Sequence, residues 1–96
     1  MRWFDKPIVA FDTETTGLNP WLGDRMIEFG AVVFHLDEHG RIDESRIERH
    51  EFFVNPGVPI PLEVQRTTNI SDDDVVGAPP FAAKADIIWN LLMDSL

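Results

Sequence analysis

Apolar residues in this chain recur first with a period of two and later with a period near 3.6, and the change of period predicts strands followed by helices. The run Pro7-Ile8-Val9-Ala10 predicts a buried first strand over 7–13. Residues 26–36 predict a second, with Phe29, Ala31, Val33 and His35 on one face and Gly30, Val32, Phe34 and Leu36 on the other. A strand apolar on both faces belongs at the centre of its sheet. Asp37-Glu38-His39-Gly40 reads as a turn, and 46–54 as a third strand with Ile47, Phe52 and Val54 among its apolar members. Connections this short join antiparallel neighbours, so the three strands predict a meander.

The helical part begins at Pro59 and Pro61, which suit the first turn of a short helix over 61–68. Ser71 has the character of an N-cap, with Asp74 three residues on as a variant capping box and Ile70 and Val75 placed as a hydrophobic staple. Asp72-Asp73-Asp74 then reads as a solvated first turn at the positive end of a helix rather than as a metal site. A last helix opens at Pro79-Pro80 and runs over 80–95. Phe81, Ala85, Ile88 and Leu92 form its core-facing stripe, and Trp89 packs beside them.

Ninety-six residues make one domain at most. A 44% hydrophobic share and a 26% charged share describe a globular chain rather than a disordered one. Without cysteine there are no disulfides and no thiolate metal ligands, as in a cytoplasmic protein. No apolar run approaches a membrane span, so no membrane partner is expected. Eight basic residues against seventeen acids give a net charge of −9. That argues against a binding module that relies on a basic patch, and it predicts weak general affinity for long duplexes. It does not exclude a nuclease whose bound cations reverse the local sign.

The candidate chemistry lies in Phe11-Asp12-Thr13-Glu14-Thr15-Thr16-Gly17, where the first strand runs out towards Leu18-Asn19-Pro20. On a strand Asp12 and Glu14 project from the same side. Adjacent carboxylates repel one another unless a cation lies between them, and a hard divalent ion takes oxygen ligands while keeping positions for water and phosphate. The plainer alternative makes them solvated acids at a strand's end.

This string resembles the first motif of the DEDD-superfamily 3′–5′ exonucleases, the group that includes the proofreading subunit of bacterial replicative polymerases, RNase T and oligoribonuclease. Asp24 to Val32 is similar to that family's second strand, Asn55-Pro56-Gly57 through Pro61 to the segment after its third, and Ile70 to Val75 to the turn beyond. The resemblance covers nearly the whole chain. It implies an α/β, RNase H-like exonuclease fold, here incomplete: a three-stranded antiparallel meander plus helices, without the later strands, forming the N-terminal portion (1–96) of one exonuclease domain.

It also implies roles. Asp12 and Glu14 become the catalytic metal ligands, Asp12 bridging two Mg²⁺ or Mn²⁺ ions and Glu14 holding one. Thr15, Thr16, Gly17 and Leu18 become the residues against the terminal nucleotide of a single-stranded 3′ end. For Leu18 a base-wedging role and burial in the core stand side by side, and for Trp21 base stacking stands against capping the core's edge, which is favoured. Glu28 suits hydrogen bonding better than metal binding. Thr67-Thr68-Asn69 departs from the His-Gly pair that relatives carry there. In this family, later motifs supply two further Asp residues and a general-base His or Tyr. None of His35, His39 and His50 resembles that base; the four-residue spacing of the first two is not set on a helix.

Two functions follow as expectations. One is a two-metal 3′–5′ exonuclease, of which these 96 residues alone would be weakly active or inactive. The other is a catalytically incomplete exonuclease-like module. In it, the open edge of the first strand pairs with a protein partner, a second chain or a swapped copy.

Overall fold

The computed structural model describes residues 6–93. Its sheet has three strands in the order β1-β2-β3, formed by Ile8–Thr15, Met26–Phe34 and Glu48–Phe53, with both pairings antiparallel. The expected meander is present, with β2 at its centre. Three helices follow: α1 (Leu62–Thr68), α2 (Asp72–Val75) and α3 (Phe81–Met93). Residues 94 and 95 of the predicted last helix lie outside the described residues.

The period-two pattern of β2 fixes which side of the sheet is covered. Ile27, Phe29, Ala31 and Val33 are all buried, whereas Glu28, Gly30, Val32 and Phe34 are only partly so. Phe29, Ala31 and Val33 meet Ile88 and Leu91 of α3, with Val9 and Phe52 packed alongside. Phe11 and Phe52 flank Phe29 at ring-centroid distances of 6.3 and 5.4 Å, and Lys84 Nζ of α3 lies 5.1 Å from the Phe52 ring centroid. A second cluster of Ile27, Ile60, Ile70 and Val75 gathers the start of β2, α1 and α2 at one end. The Ile70–Val75 staple is thus realised, and the Ser71 amide donates to Asp74 Oδ2 at 2.8 Å. Asp72 of the acidic triplet caps inward, accepting the Ile60 amide at 2.8 Å.

Several expectations are corrected. The first strand is not buried: β1 has a neighbour on one side only among the described residues, and Ile8 and Phe11 are 37% and 55% exposed. β1 also continues through Thr15, so both acids lie within the strand rather than at its end. β2 is central but buries one face, because helices cover one side of the sheet. The third strand is shorter than 46–54, and Ile47 stands exposed ahead of it.

On α3 the residues turned to the sheet are Ile88 and Leu91, while Phe81 is half-exposed. Trp89, expected to pack, is 63% exposed, and Trp21, expected to cap the core, is 94% exposed. Leu18 is fully exposed, which removes its core-packing alternative. In each case the apolar side chain has no described element above it to bury against.

Candidate functional site

Register decides how the acidic residues are grouped. Asp12 stands opposite Gly30 and Glu14 opposite Glu28 across β1 and β2, and Gly30 and Glu28 in turn face Glu51 and Phe53 of β3. Because side chains alternate along a strand, Asp12, Glu14, Glu28 and Glu51 share the uncovered face. The two predicted ligands therefore project together, about 7 Å apart along the strand. Between Asp12 and Glu51 lies Gly30, where an added Cβ would meet nothing within 4 Å. The missing side chain leaves a hollow bordered by Ala10, Asp12, Val32, Arg49 and Glu51.

The acidic side chains on this face repel one another. Among the described residues neither Asp12 nor Glu14 forms an ion pair. Asp12 Oδ1 accepts only the adjacent Thr13 amide, at 2.9 Å. Glu28, expected to act through hydrogen bonding, shows no such bond among the described residues. Its carboxyl is raised above the ordinary 4.5, first by burial and then by the charges of Glu51, Glu14 and Asp12.

A folded-state value above the unfolded one means that the folded protein binds the extra proton. Glu28 therefore costs stability above its folded value, and the cost is relieved as pH falls towards the unfolded value. Urea titrations should find Glu28→Gln more stable than the parent chain at pH 7 and equal to it below about pH 4.5. An equal difference at both pH values would rule this cause out.

Beyond β1 the chain turns through residues 16–25, and one carboxylate organises the turn. Asp24 Oδ2 accepts the Asn19 amide at 2.9 Å, and Asp24 Oδ1 lies 3.4 Å from the Thr16 hydroxyl that donates to it. That hydroxyl also accepts the Arg25 amide at 2.8 Å, and the Thr16 amide donates to the Arg25 carbonyl at 2.7 Å. Asn19 is the second anchor: its carbonyl accepts the Leu22 and Asp24 amides and its side chain the Trp21 amide, at 3.0–3.2 Å. A Cβ at Gly17 would run into the Asp24 carboxylate, so a side chain there would displace the group that organises the turn.

The structure does not place all predicted residues on one surface. Thr15, Gly17 and Leu18 line a second hollow together with Arg25, Met26 and Phe81, at the end of the sheet near the start of α3. Asp12 and Glu14 face the other side of β1. As β1 is an edge strand among the described residues, the two surfaces meet along that edge. Thr16 is 6% exposed with its hydroxyl engaged, so its side chain shapes the turn. Asp24, the hub of the turn, went unidentified in the sequence; its one signal was a Gly-Asp step just before β2. His35 follows β2 and His39 sits in the turn, without a helix between them, and His50 lies on the covered face.

Whether a divalent ion suits these residues turns on their donors. Two unpaired carboxylates on one face offer the hard oxygen ligands that Mg²⁺ or Mn²⁺ takes, and a third carboxylate stands directly across from Glu14. Among the described residues, no group of three or more His, Cys, Asp or Glu could hold an ion. The fit is in kind of ligand, and the set is partial.

Residues 9–95 match a protein-family profile of the RNase T type, described as exonuclease. The chain is 38% identical over 84 residues to the 3′-5′ exonuclease DinG of Bacillus subtilis, an alignment covering 88% of this chain and 8% of that protein. It is 32% identical over 88 residues to the DNA polymerase III subunit epsilon of Rickettsia conorii, covering 91% and 35%. To the same subunit of Treponema pallidum it is 43% identical over 72 residues, covering 75% and 30%. The chain thus spans about a third or less of the length of these relatives. No helix among the described residues is long and apolar enough to cross a membrane.

Proposed function

The chain belongs to the RNase T exonuclease family, and on that premise we propose that it carries the first metal-binding element of a cytoplasmic 3′–5′ exonuclease with an RNase H-like fold. The reaction is hydrolysis of the phosphodiester bond at the 3′ end of a single-stranded nucleic acid. The observation that carries the reading is the projection of Asp12 and Glu14 from one uncovered face, with no ion pair among the described residues.

Asp12 and Glu14 would hold the Mg²⁺ or Mn²⁺ ions of such a site. Such ions, when bound, supply an activated water and charge stabilisation at the leaving 3′ oxygen. The chain's own residues hold and orient. The carboxylates act as acceptor-only ligands, and the absence of a side chain at Gly30 lets a phosphate approach the sheet beside Asp12. Thr15, Gly17 and Leu18 shape the hollow for the terminal nucleotide, and Thr16 and Asp24 keep that turn in place.

Two measurements test this. Mn²⁺ added to the isotopically labelled chain should broaden the amide signals of residues 11–15 and 28–30 first; uniform broadening would remove the basis of the metal reading. The protein expressed from its whole reading frame should shorten a 5′-labelled single strand stepwise from its 3′ end, stop when the metal is chelated, and leave a circular strand intact. The 96-residue chain alone should show little or no activity, since two carboxylates capture a tightly hydrated Mg²⁺ poorly.

A second reading rests on a separate observation, the unpaired outer edge of β1 with its exposed Ile8 and Phe11. In that reading the domain is an exonuclease-like module that pairs with another chain along this edge. A concentration-independent monomer in sedimentation, together with 3′-end hydrolysis, would decide against it.

A further inference from the structure

We propose that Trp21 is a stacking platform for a base lying upstream of the terminal nucleotide, on a strand whose 3′ end is at Asp12 and Glu14. This rests on the exonuclease reading above and extends it to how the strand is gripped.

Trp21 is 94% exposed, and Leu18 and Leu22 beside it are 100% and 83% exposed. Apolar side chains concentrated on one short turn normally mark a contact surface. The backbone that carries Trp21 is held in place. It forms the 3₁₀ turn Pro20–Leu22, with the Trp21 amide bound to Asn19 Oδ1 and with Asn19 tied in turn to Asp24. A turn fixed in advance loses little backbone entropy when a ligand settles on it.

Position favours a nucleic acid as that ligand. The turn leaves β1 directly after Glu14 and closes on itself through the Thr16–Arg25 pair. The five steps along the chain from Thr16 to Trp21 reach at most about 17 Å, which a stacked strand covers in about five nucleotides at about 3.4 Å each. A second copy of the chain suits the patch less well. Its three apolar side chains, the largest offering at most about 250 Å², together fall short of the roughly 800 Å² per partner that a stable protein interface buries.

Charge points the same way. With eight basic residues against seventeen acids, grip cannot come mainly from neutralised phosphates. Stacking on an aromatic face needs no positive charge and tolerates any base.

The test is fluorescence anisotropy of a 5′-labelled octathymidylate with the chain in Mn²⁺. Trp21→Ala should weaken binding about tenfold or more, the scale of one lost base–aromatic contact. Trp21→Phe should restore most of the loss, and Trp89→Ala, which removes an exposed tryptophan of α3, should change nothing. Affinity should fall only shallowly with added salt. Because Trp21 is exposed, all three variants should keep the parent's circular dichroism spectrum. If the parent chain binds the octamer and Trp21→Ala binds it equally well, the stacking proposal fails alone. If Trp21→Ala alters sedimentation and leaves the octamer's affinity unchanged, the patch is a protein contact and the proposal fails. If the parent chain binds no octamer, the stacking proposal fails, and stepwise 3′-end hydrolysis by the protein from its whole reading frame still decides the exonuclease reading separately.

Discussion

Asp12→Ala is expected to reduce 3′-end hydrolysis by the whole protein about a thousandfold or more while leaving the fold intact. On the proposed reading Asp12 would ligate a divalent ion in the transition state as well as in the ground state, and deleting a single group aimed at developing charge already costs about 10²–10³ in rate. Its side chain is exposed, with Thr13 as its one hydrogen-bond donor among the described residues, so little packing is lost. Removing its charge also eases the repulsion that raises the Glu28 carboxyl. Thermal melting should therefore show an unchanged or slightly higher midpoint. Asp12→Asn, nearly the same in shape, should be about as inactive. Activity within tenfold of the parent in either variant would contradict the role given to this residue.

Phe29→Ala is expected to have the largest effect on folding. Phe29 is 1% exposed, stands between Phe11 and Phe52, and packs with Ile88 and Leu91 of α3. Truncating a buried phenylalanine costs about 3–5 kcal/mol through lost transfer energy and the cavity left behind. A domain of this length has about 5–15 kcal/mol to lose. Urea denaturation should thus show a large fall in midpoint, or a chain already unfolded in dilute buffer. Phe11→Ala is the matched control: the same side chain, 55% exposed on the edge strand, should cost far less. Equal losses would mean that α3 does not anchor the sheet through Phe29.

How much could be read in advance follows from what each residue depends on. The meander was legible because alternation in β2 is a local property, and Phe29, Ala31 and Val33 follow it without exception. The burial of β1 was misjudged because Pro7 to Ala10 are apolar whether their strand has one neighbour or two. The stripe on α3 was legible in part: Ile88 is buried and Leu92 packs alongside it as expected, whereas Leu91 was missed and Phe81 is half-exposed. Trp21 and Trp89 were assigned to the core on hydrophobicity, but burial also needs an element to lie over them. For the candidate site, the same-side projection of Asp12 and Glu14 was readable from strand geometry. The turn built on Asp24 was not, because its partners Thr16 and Asn19 lie eight and five residues away. The separation of the two hollows by β1 depends on which side α3 covers, and spacing carries no such information.

One consequence concerns the strand that bears the acids. In the described residues only β2 steadies β1, so its free rail of amides and carbonyls should fray first, exchanging hydrogens faster than β2. Whatever stiffens that rail also sharpens the spacing of Asp12 and Glu14, so ion affinity and strand pairing become two readings of a single equilibrium.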